Sequence, residues 1–217
     1  MQQWIFDIRS KKFLLLLVLF IAVTILVYGK ITKPLDDAVI TYAQSLAGNQ
    51  IQDLTMEIFT EIGSVFYMVI FCVILFVKKS TRRLGLVLIL SILAGTIVSA
   101  YVKDFVGQER PKLDFQGTPF PIGLEQDSSF FGIGSFPSGH ATRTAAFAFV
   151  MGFALSHRFP RGCYIVWVYP LIVSISRVYV LQHFPMDVIG GVLLGIIIAN
   201  IVSKKLKLHL IFEKSEA

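Results

Sequence analysis

Residues 84–102 read LGLVLILSILAGTIVSAYV, an uncharged run set between Arg83 and Lys103. As an α-helix it approaches the ~20 residues needed to cross the hydrocarbon layer of a bilayer. Working outward, the pattern recurs five times: Phe13–Gly29, Ile62–Val77, Ser138–His157 (broken only by Arg143), Gly162–Ser176 (continuing to about Tyr179) and Val188–Ser203. The shorter runs are completed by flanking residues in the headgroup zone. The expectation is an all-α fold, an integral membrane bundle of six transmembrane helices.

Composition agrees. Of 217 residues, 55% are hydrophobic and 16% charged, against about 25% charged in a soluble domain. Mean hydropathy is +0.71. These values exclude a disordered chain, a coiled coil and a soluble enzyme with a solvated skin. Six spans leave little for anything else, so residues 1–217 are read as a single integral membrane domain. The first run follows Arg9, Lys11 and Lys12 as a signal peptide would. It is long for one and no small-x-small cleavage site follows it, so it is read as an uncleaved span. Cys72 and Cys163 lie in apolar runs and read as small buried hydrophobes, not as a disulfide or metal site.

The basic residues orient the spans. Arg9, Lys11, Lys12, Lys78, Lys79, Arg82, Arg83, Arg158, Arg161, Lys204, Lys205, Lys207 and Lys214 fall on one side. Lys30, Lys33, Lys103, Arg110, Lys112 and Arg177 fall on the other. Both termini are therefore expected in the cytoplasm. Charges divided among short loops set topology and argue against nucleic acid as a partner. Most acidic residues map to the outer side, with the two long connections, 30–61 and 103–137. In the first, Thr32-Lys33-Pro34 starts a helix with Leu35, Val39, Ile40, Ala43 and Leu46 as its stripe, and Gly48-Asn49 ends it. A second helix sets Ile51, Leu54, Ile58 and Ile62 against Asp53, Glu57 and Glu61, spaced four apart. Two amphipathic helices at the outer interface fit this pattern, with the acidic stripe as a solvated face.

Three polar groups stand at outer span ends: Lys103 with Arg110-Pro111, Pro137-Ser138-Gly139-His140, and Ser176-Arg177 with His183 and Asp187. Each suits work on a phosphate. Lys103, Arg110 and Arg177 supply cations, the arginines with planar bidentate donors. Ser138-Gly139-His140 opens a helix, where free backbone N–H groups bind anions and Gly139 permits close approach. Asp187 can reach back to the His183 ring and fix its tautomer, leaving the other ring nitrogen to attack. His140 is placed to protonate a leaving oxygen. A lone histidine or arginine at an interface is usually an anchor, as His157 and His209 are read here. Three cations, two histidines and an aspartate on one rim are not explained by anchoring.

These blocks resemble the type 2 phosphatidic acid phosphatase family of membrane lipid phosphatases. The family pattern KxxxxxxRP, PSGH and SRxxxxxHxxxD is matched at every fixed position by KDFVGQERP, PSGH and SRVYVLQHFPMD. The resemblance implies phosphate binding by Lys103, Arg110, Ser138, Gly139 and Arg177. It implies His183 as nucleophile, Asp187 as its orienting group and His140 as general acid. It further implies a phosphohistidine intermediate with no metal or other cofactor, and the sequence holds no cluster at metal-ligand spacing. Soluble vanadium haloperoxidases share the pocket, but six spans argue against that activity.

The function expected is hydrolysis of a phosphate ester or anhydride of a lipid at the outer face of a plasma membrane. A polyprenyl diphosphate is the first choice of substrate. Phosphatidic acid, phosphatidylglycerol phosphate or diacylglycerol diphosphate is the alternative, as is transfer of the phosphoryl group to an acceptor lipid. A non-enzymatic transporter offers no reason for a histidine–aspartate pair beside three cations. The connection 112–136, with Phe115, Phe120, Phe130 and Phe131, is expected to touch lipid. Arg143 lies one turn beyond His140 and either faces the pocket, toward a second phosphate or Glu61, or snorkels to the interface. The small size suggests a bacterial or archaeal membrane, and no feature signals an oligomeric state.

Overall fold

The computed structural model describes residues 4–112, 115 and 134–210, and among them every regular element is helical. The helices are α1 (Lys11–Tyr28), α2 (Lys33–Leu46), α3 (Gln50–Ile62), α4 (Val65–Val77), α5 (Arg82–Val106), α6 (Gly139–Ser156), α7 (Val168–Tyr179) and α8 (Pro185–Lys205). A 3-10 helix, Gly162–Trp167, leads into α7. Pro170 cannot donate the bond that would carry an α-helix back to Val166, so the α-helical part begins just before it. All six apolar runs are helical.

Four helical segments are long and apolar enough to cross a membrane: Lys11–Tyr28, Arg82–Val106, Gly162–Tyr179 and Pro185–Lys205. The pair α3 and α4, bent by 51° at its break, makes a fifth if it is one span. The chain is thus a multi-pass membrane protein. Helix α6 is not in that set, for a physical reason. It carries His140, Thr142, Arg143 and Thr144 near its start, all buried, and it packs against α5, α7, α8 and the 3-10 helix. A helix surrounded by protein need not be apolar to lie at membrane depth.

Helix α8 approaches α6 through glycine. A Cβ at Gly191 would stand 2.5 Å from the Ser138 carbonyl oxygen, and one at Gly195 2.3 Å from that of Thr142. This small-xxx-small spacing lets two backbones touch. It thereby fixes the start of α6 beside the start of α8. Gly63, at the α3–α4 break, does the same against Val173 and His140, with a Cβ there falling 2.5 Å and 3.3 Å from their side chains.

The connection 30–61 contains the two expected helices, but α3 is turned the other way. Ile51 is 81% exposed, and Leu54, Ile58 and Ile62 are exposed with it. Asp53 and Glu57 are buried. Asp53 accepts hydrogen bonds from the Tyr179 hydroxyl (2.6 Å) and the Gly48 amide (3.0 Å), and Thr60 bonds Ser176 at 2.9 Å. The acidic stripe is therefore a seam against α7, not a solvated face. Helical spacing identifies a polar side, and only the partner helix shows that this side points inward.

The opposite end of the bundle is tied by the N-terminal segment. Phe6 and Asn200 exchange two hydrogen bonds, N–H to Oδ1 at 2.7 Å and Nδ2 to the carbonyl at 3.1 Å. Lys204 is ion-paired with Asp7, and Arg83 donates to the Leu206 and Lys207 carbonyls. Trp4 stacks on Tyr164 and Trp167. Both cysteines are buried and unpaired.

Candidate active site

The three sequence blocks meet at the end of the bundle away from that tie. Helix α5 delivers Lys103 in its last turn and ends at Gly107, whose left-handed backbone (φ +63°) returns an N–H to the Lys103 carbonyl at 2.9 Å. The chain comes back at Gly134, where a Cβ would lie 2.6 Å from that carbonyl oxygen. The Ser135 amide then donates to Gln108 at 2.7 Å, stitching the first block to the second.

Ser138 caps α6. Its amide donates to the Asp187 carbonyl at 2.9 Å, which joins the second block to the third. Its hydroxyl is buried with no hydrogen-bond partner among the described residues, so it is available to a ligand oxygen at the α6 N-terminus. His140, one residue into that helix, is buried. Arg143 is 3% exposed. Its Nη1 lies so near Gly139 that a Cβ there would be 3.2 Å away. The guanidinium is folded back over the start of α6 and does not extend to the surface.

The third block turns on the Arg177 carbonyl, which accepts from both the Gln182 amide (3.1 Å) and the His183 amide (3.3 Å). Leu181 takes a positive φ of 56° to make that turn. His183 is 1% exposed, with Nδ1 3.5 Å from Asp187 Oδ2. The contact expected between them is completed by a residue that sequence reasoning missed. The Ser135 hydroxyl donates to Asp187 Oδ2 and lies 3.4 Å from His183 Nδ1. Asp187 Oδ2 also accepts the Phe184 amide at 2.8 Å. A lone serine two residues before PSGH carries no signal of this role. Neither does Gln182, whose Oε1 holds Arg110 Nη1 at 2.9 Å.

Asp36 was also missed. It is fully buried, and Oδ1 accepts the Met186 amide at the start of α8 at 3.2 Å. That amide has no intrahelical partner, so a carboxylate from α2 caps the helix that carries Asp187. Burial raises the Asp36 pKa, against hydrogen bonds from Thr32 and Met186 that lower it. Ile40 and Ala43, on the same face of α2, pack on Leu181 and Phe184 with Phe115. Phe115 is thus packed into protein, while Phe120, Phe130 and Phe131 lie outside the described residues.

The site is cationic, with Lys103, Arg177 and both histidines buried and Arg110 exposed. Burial pushes the His183 pKa well below its ordinary 6.5, and Arg177, Lys103, Arg110 and His140 push it further down. His183 is therefore neutral, with Nδ1 directed at Ser135 and Asp187. Among the described residues no group of three or more His, Cys, Asp or Glu is placed to hold a metal ion.

Known proteins resemble this chain over much of its length. The undecaprenyl-diphosphatase of Sulfolobus acidocaldarius is 30% identical over 150 residues, 68% of each chain. Phosphatidylglycerophosphatase B of Bacillus subtilis is 32% identical over 125 residues, 54% of this chain and 56% of that one. The match thus spans little more than half of the second relative. Among solved structures, the transmembrane PAP2-type phosphatidylglycerolphosphate phosphatase of Bacillus subtilis shares the fold with a TM-score of 0.72. It covers 88% of this chain and 94% of its own at 24% identity. The model of the PAP2 superfamily matches residues 84–209, from the start of α5 past the end of α8 and across all three blocks. The chain belongs to the PAP2 superfamily.

Proposed function

We propose that this chain, a lipid phosphatase, acts as one domain through a phosphohistidine on His183, with a polyprenyl diphosphate as substrate. The observation that carries the reading is a neutral, Ser135- and Asp187-oriented His183, buried as Lys103 and Arg177 are, within the field of Arg110 and joined through Asp187 to the α6 N-terminus. Those donors suit the equatorial oxygens of a phosphoryl group in transfer. His183 Nε2 attacks phosphorus, the bond to the leaving oxygen breaks, and His140 gives that oxygen its proton. Water then attacks phosphorus from the vacated side. His140 takes the water proton, the P–N bond breaks and phosphate is released. Asp187 and Ser135 hold the Nδ1 proton throughout, and no step calls on a metal.

A lipid substrate is supported by an apolar recess of about 240 Å³ lined by Ile62, Tyr67, Met68, Phe71, Phe147 and Tyr169. It adjoins Gly63, which packs on His140. An emerging tail would therefore leave on the side of the proposed general acid. The six-span topology, with both termini in the cytoplasm and the pocket facing outward, follows from the basic-residue bias. It suits a lipid carrier recycled at the outer face of a plasma membrane. The undecaprenyl-diphosphatase relative favours the diphosphate, and the phosphatidylglycerophosphatase relative favours phosphatidylglycerol phosphate as the second reading.

The test is phosphate release by purified protein from polyprenyl diphosphate, phosphatidic acid and phosphatidylglycerol phosphate, with chelator present and His183→Ala as control. Release from the diphosphate with the highest kcat/KM, abolished by the substitution, is the expected result. Release unaffected by His183→Ala overturns the mechanism. Phosphate recovered on an acceptor lipid would reassign the reaction to transfer.

A further inference from the structure

Of the three cations in the blocks, Lys103 and Arg177 are buried and Arg110 is exposed. Arg110 also lines a second space, a cavity of about 540 Å³ among the outer ends of α1, α2 and α5. Phe184, the neighbour of His183, forms part of its wall, and so does Gln108, whose carbonyl holds the Ser135 amide. Lys30, Lys33 and Lys112 line it with Arg110. The carboxylates in the lining, Asp37 and Glu109, are ion-paired with Lys33 (2.5 Å) and Lys112 (3.2 Å). Among the described residues, four cations against two anions leave the space positive. The recess beside His140, by contrast, has no charged residue among the described residues of its lining.

We propose that this cavity is a phosphate-binding vestibule on the water side of the catalytic pocket, receiving the phosphate released from His183. The inference rests on the function proposed above. In-line displacement leaves the lipid on the His140 side and the phosphoryl group on the His183 side. The product is a small, strongly hydrated anion that cannot leave through hydrocarbon. Arg110 lines the cavity and its charge is felt at His183, so it can draw phosphate from the one space toward the other. Lipid and phosphate thus have separate doors. The same donors would fit a phosphate belonging to a lipid headgroup, and the shared chemistry is a phosphate dianion held outside the catalytic pocket.

The experiment uses full-length protein carrying Lys30→Gln and Lys33→Gln together, neither residue belonging to the catalytic machinery. Inhibition by inorganic phosphate is measured alongside KM for a polyprenyl diphosphate and for the corresponding monophosphate. The expected result is an inhibition constant for phosphate raised about five- to tenfold, with KM for the monophosphate within about twofold. A KM raised for the diphosphate alone, with phosphate inhibition unchanged, assigns the cavity to a headgroup and overturns the exit role. No change in either quantity overturns the vestibule itself. Lys78→Gln with Lys79→Gln makes the same charge change away from the pocket. An equal effect there shows mere net charge and also overturns the proposal. His183→Ala is run in parallel. If it still releases phosphate, the reading beneath the proposal has failed, whatever the lysine variants do.

Discussion

Helices α1 and α6 are both 18 residues long and live in opposite surroundings. In α1 only Phe13 and Val27 are buried, and Leu14, Leu15, Val18, Leu19, Ile21 and Ile25 are exposed. In α6 most residues are buried, His140 and Arg143 included. The first helix is a skin against hydrocarbon and needs only to be greasy. The second is an interior, where neighbouring helices supply the apolar environment and polar groups can do chemistry. In a membrane enzyme, hydropathy therefore reports the lipid-facing elements best and the central helix worst.

The largest expected effect lies on the interior side. His183→Ala lowers kcat/KM for the lipid substrate by about 10³-fold or more, with the bundle intact by circular dichroism. A loss under tenfold breaks the claim that chemistry is concentrated there. Next comes Gly195→Ala, which drives a methyl into the Thr142 carbonyl. It should destabilise by about 1–3 kcal/mol. Displacing α8 against α6 by about 1 Å should also cost roughly 10²-fold in kcat. Thermal unfolding and steady-state kinetics read both.

A smaller effect is expected at Asp36. Asp36→Ala strips the cap from Met186 and should lower kcat about tenfold with KM little changed, while Asp36→Asn keeps an acceptor oxygen and restores most of it. Equal losses in the two variants would show that charge, not the cap, is what α8 needs.

The pH dependence sharpens the same contrast. The folded pKa of His183 lies below 6.5, so the proposed nucleophile stays unprotonated as pH falls through 6.5. The acid limb of kcat/KM, corrected for the ionisation of the substrate, should lie below pH 6.5. The unfolded chain takes up a proton at 6.5 that the folded chain refuses, so stability contributed by this group declines as pH falls below 6.5. A limb above 6.5 would contradict the buried setting. The smallest effect belongs to the skin: Ile25→Ala on α1 should change stability and kcat within about 0.5 kcal/mol and twofold.

Much of the site was legible because its residues come in contiguous blocks with fixed internal spacing. Lys103, Arg110, Ser138, Gly139, His140, Arg177, His183 and Asp187 could be named before any fold was known, and the charge bias put them at one end. What escaped was whatever depends on a partner distant in sequence. Ser135 matters only because Asp187 lies beside it, Gln182 only because Arg110 reaches it, and Asp36 only because α8 begins against α2. The periodicity of α3 separates its two faces correctly, but the expected solvated acidic stripe turns inward, because such a stripe can meet water or a tyrosine equally well. Gly191 and Gly195 read as ordinary residues of an apolar run until the backbone of α6 is seen against them.

The bond pair between Phe6 and Asn200 bears on the order of events during synthesis. It joins residues 194 apart, and the ribosome delivers the second long after the first has reached the bilayer. Asp187 arrives on the same helix as Asn200. The clasp that shuts the bundle and the carboxylate beside His183 are therefore late acquisitions of the same moment. Until then the nascent chain holds its cations and first histidine in an open, unlatched array. A translation intermediate stalled before Asn200 emerges should leave residues 4–7 open to protease, and protection at that stage would show that the bundle closes by another route.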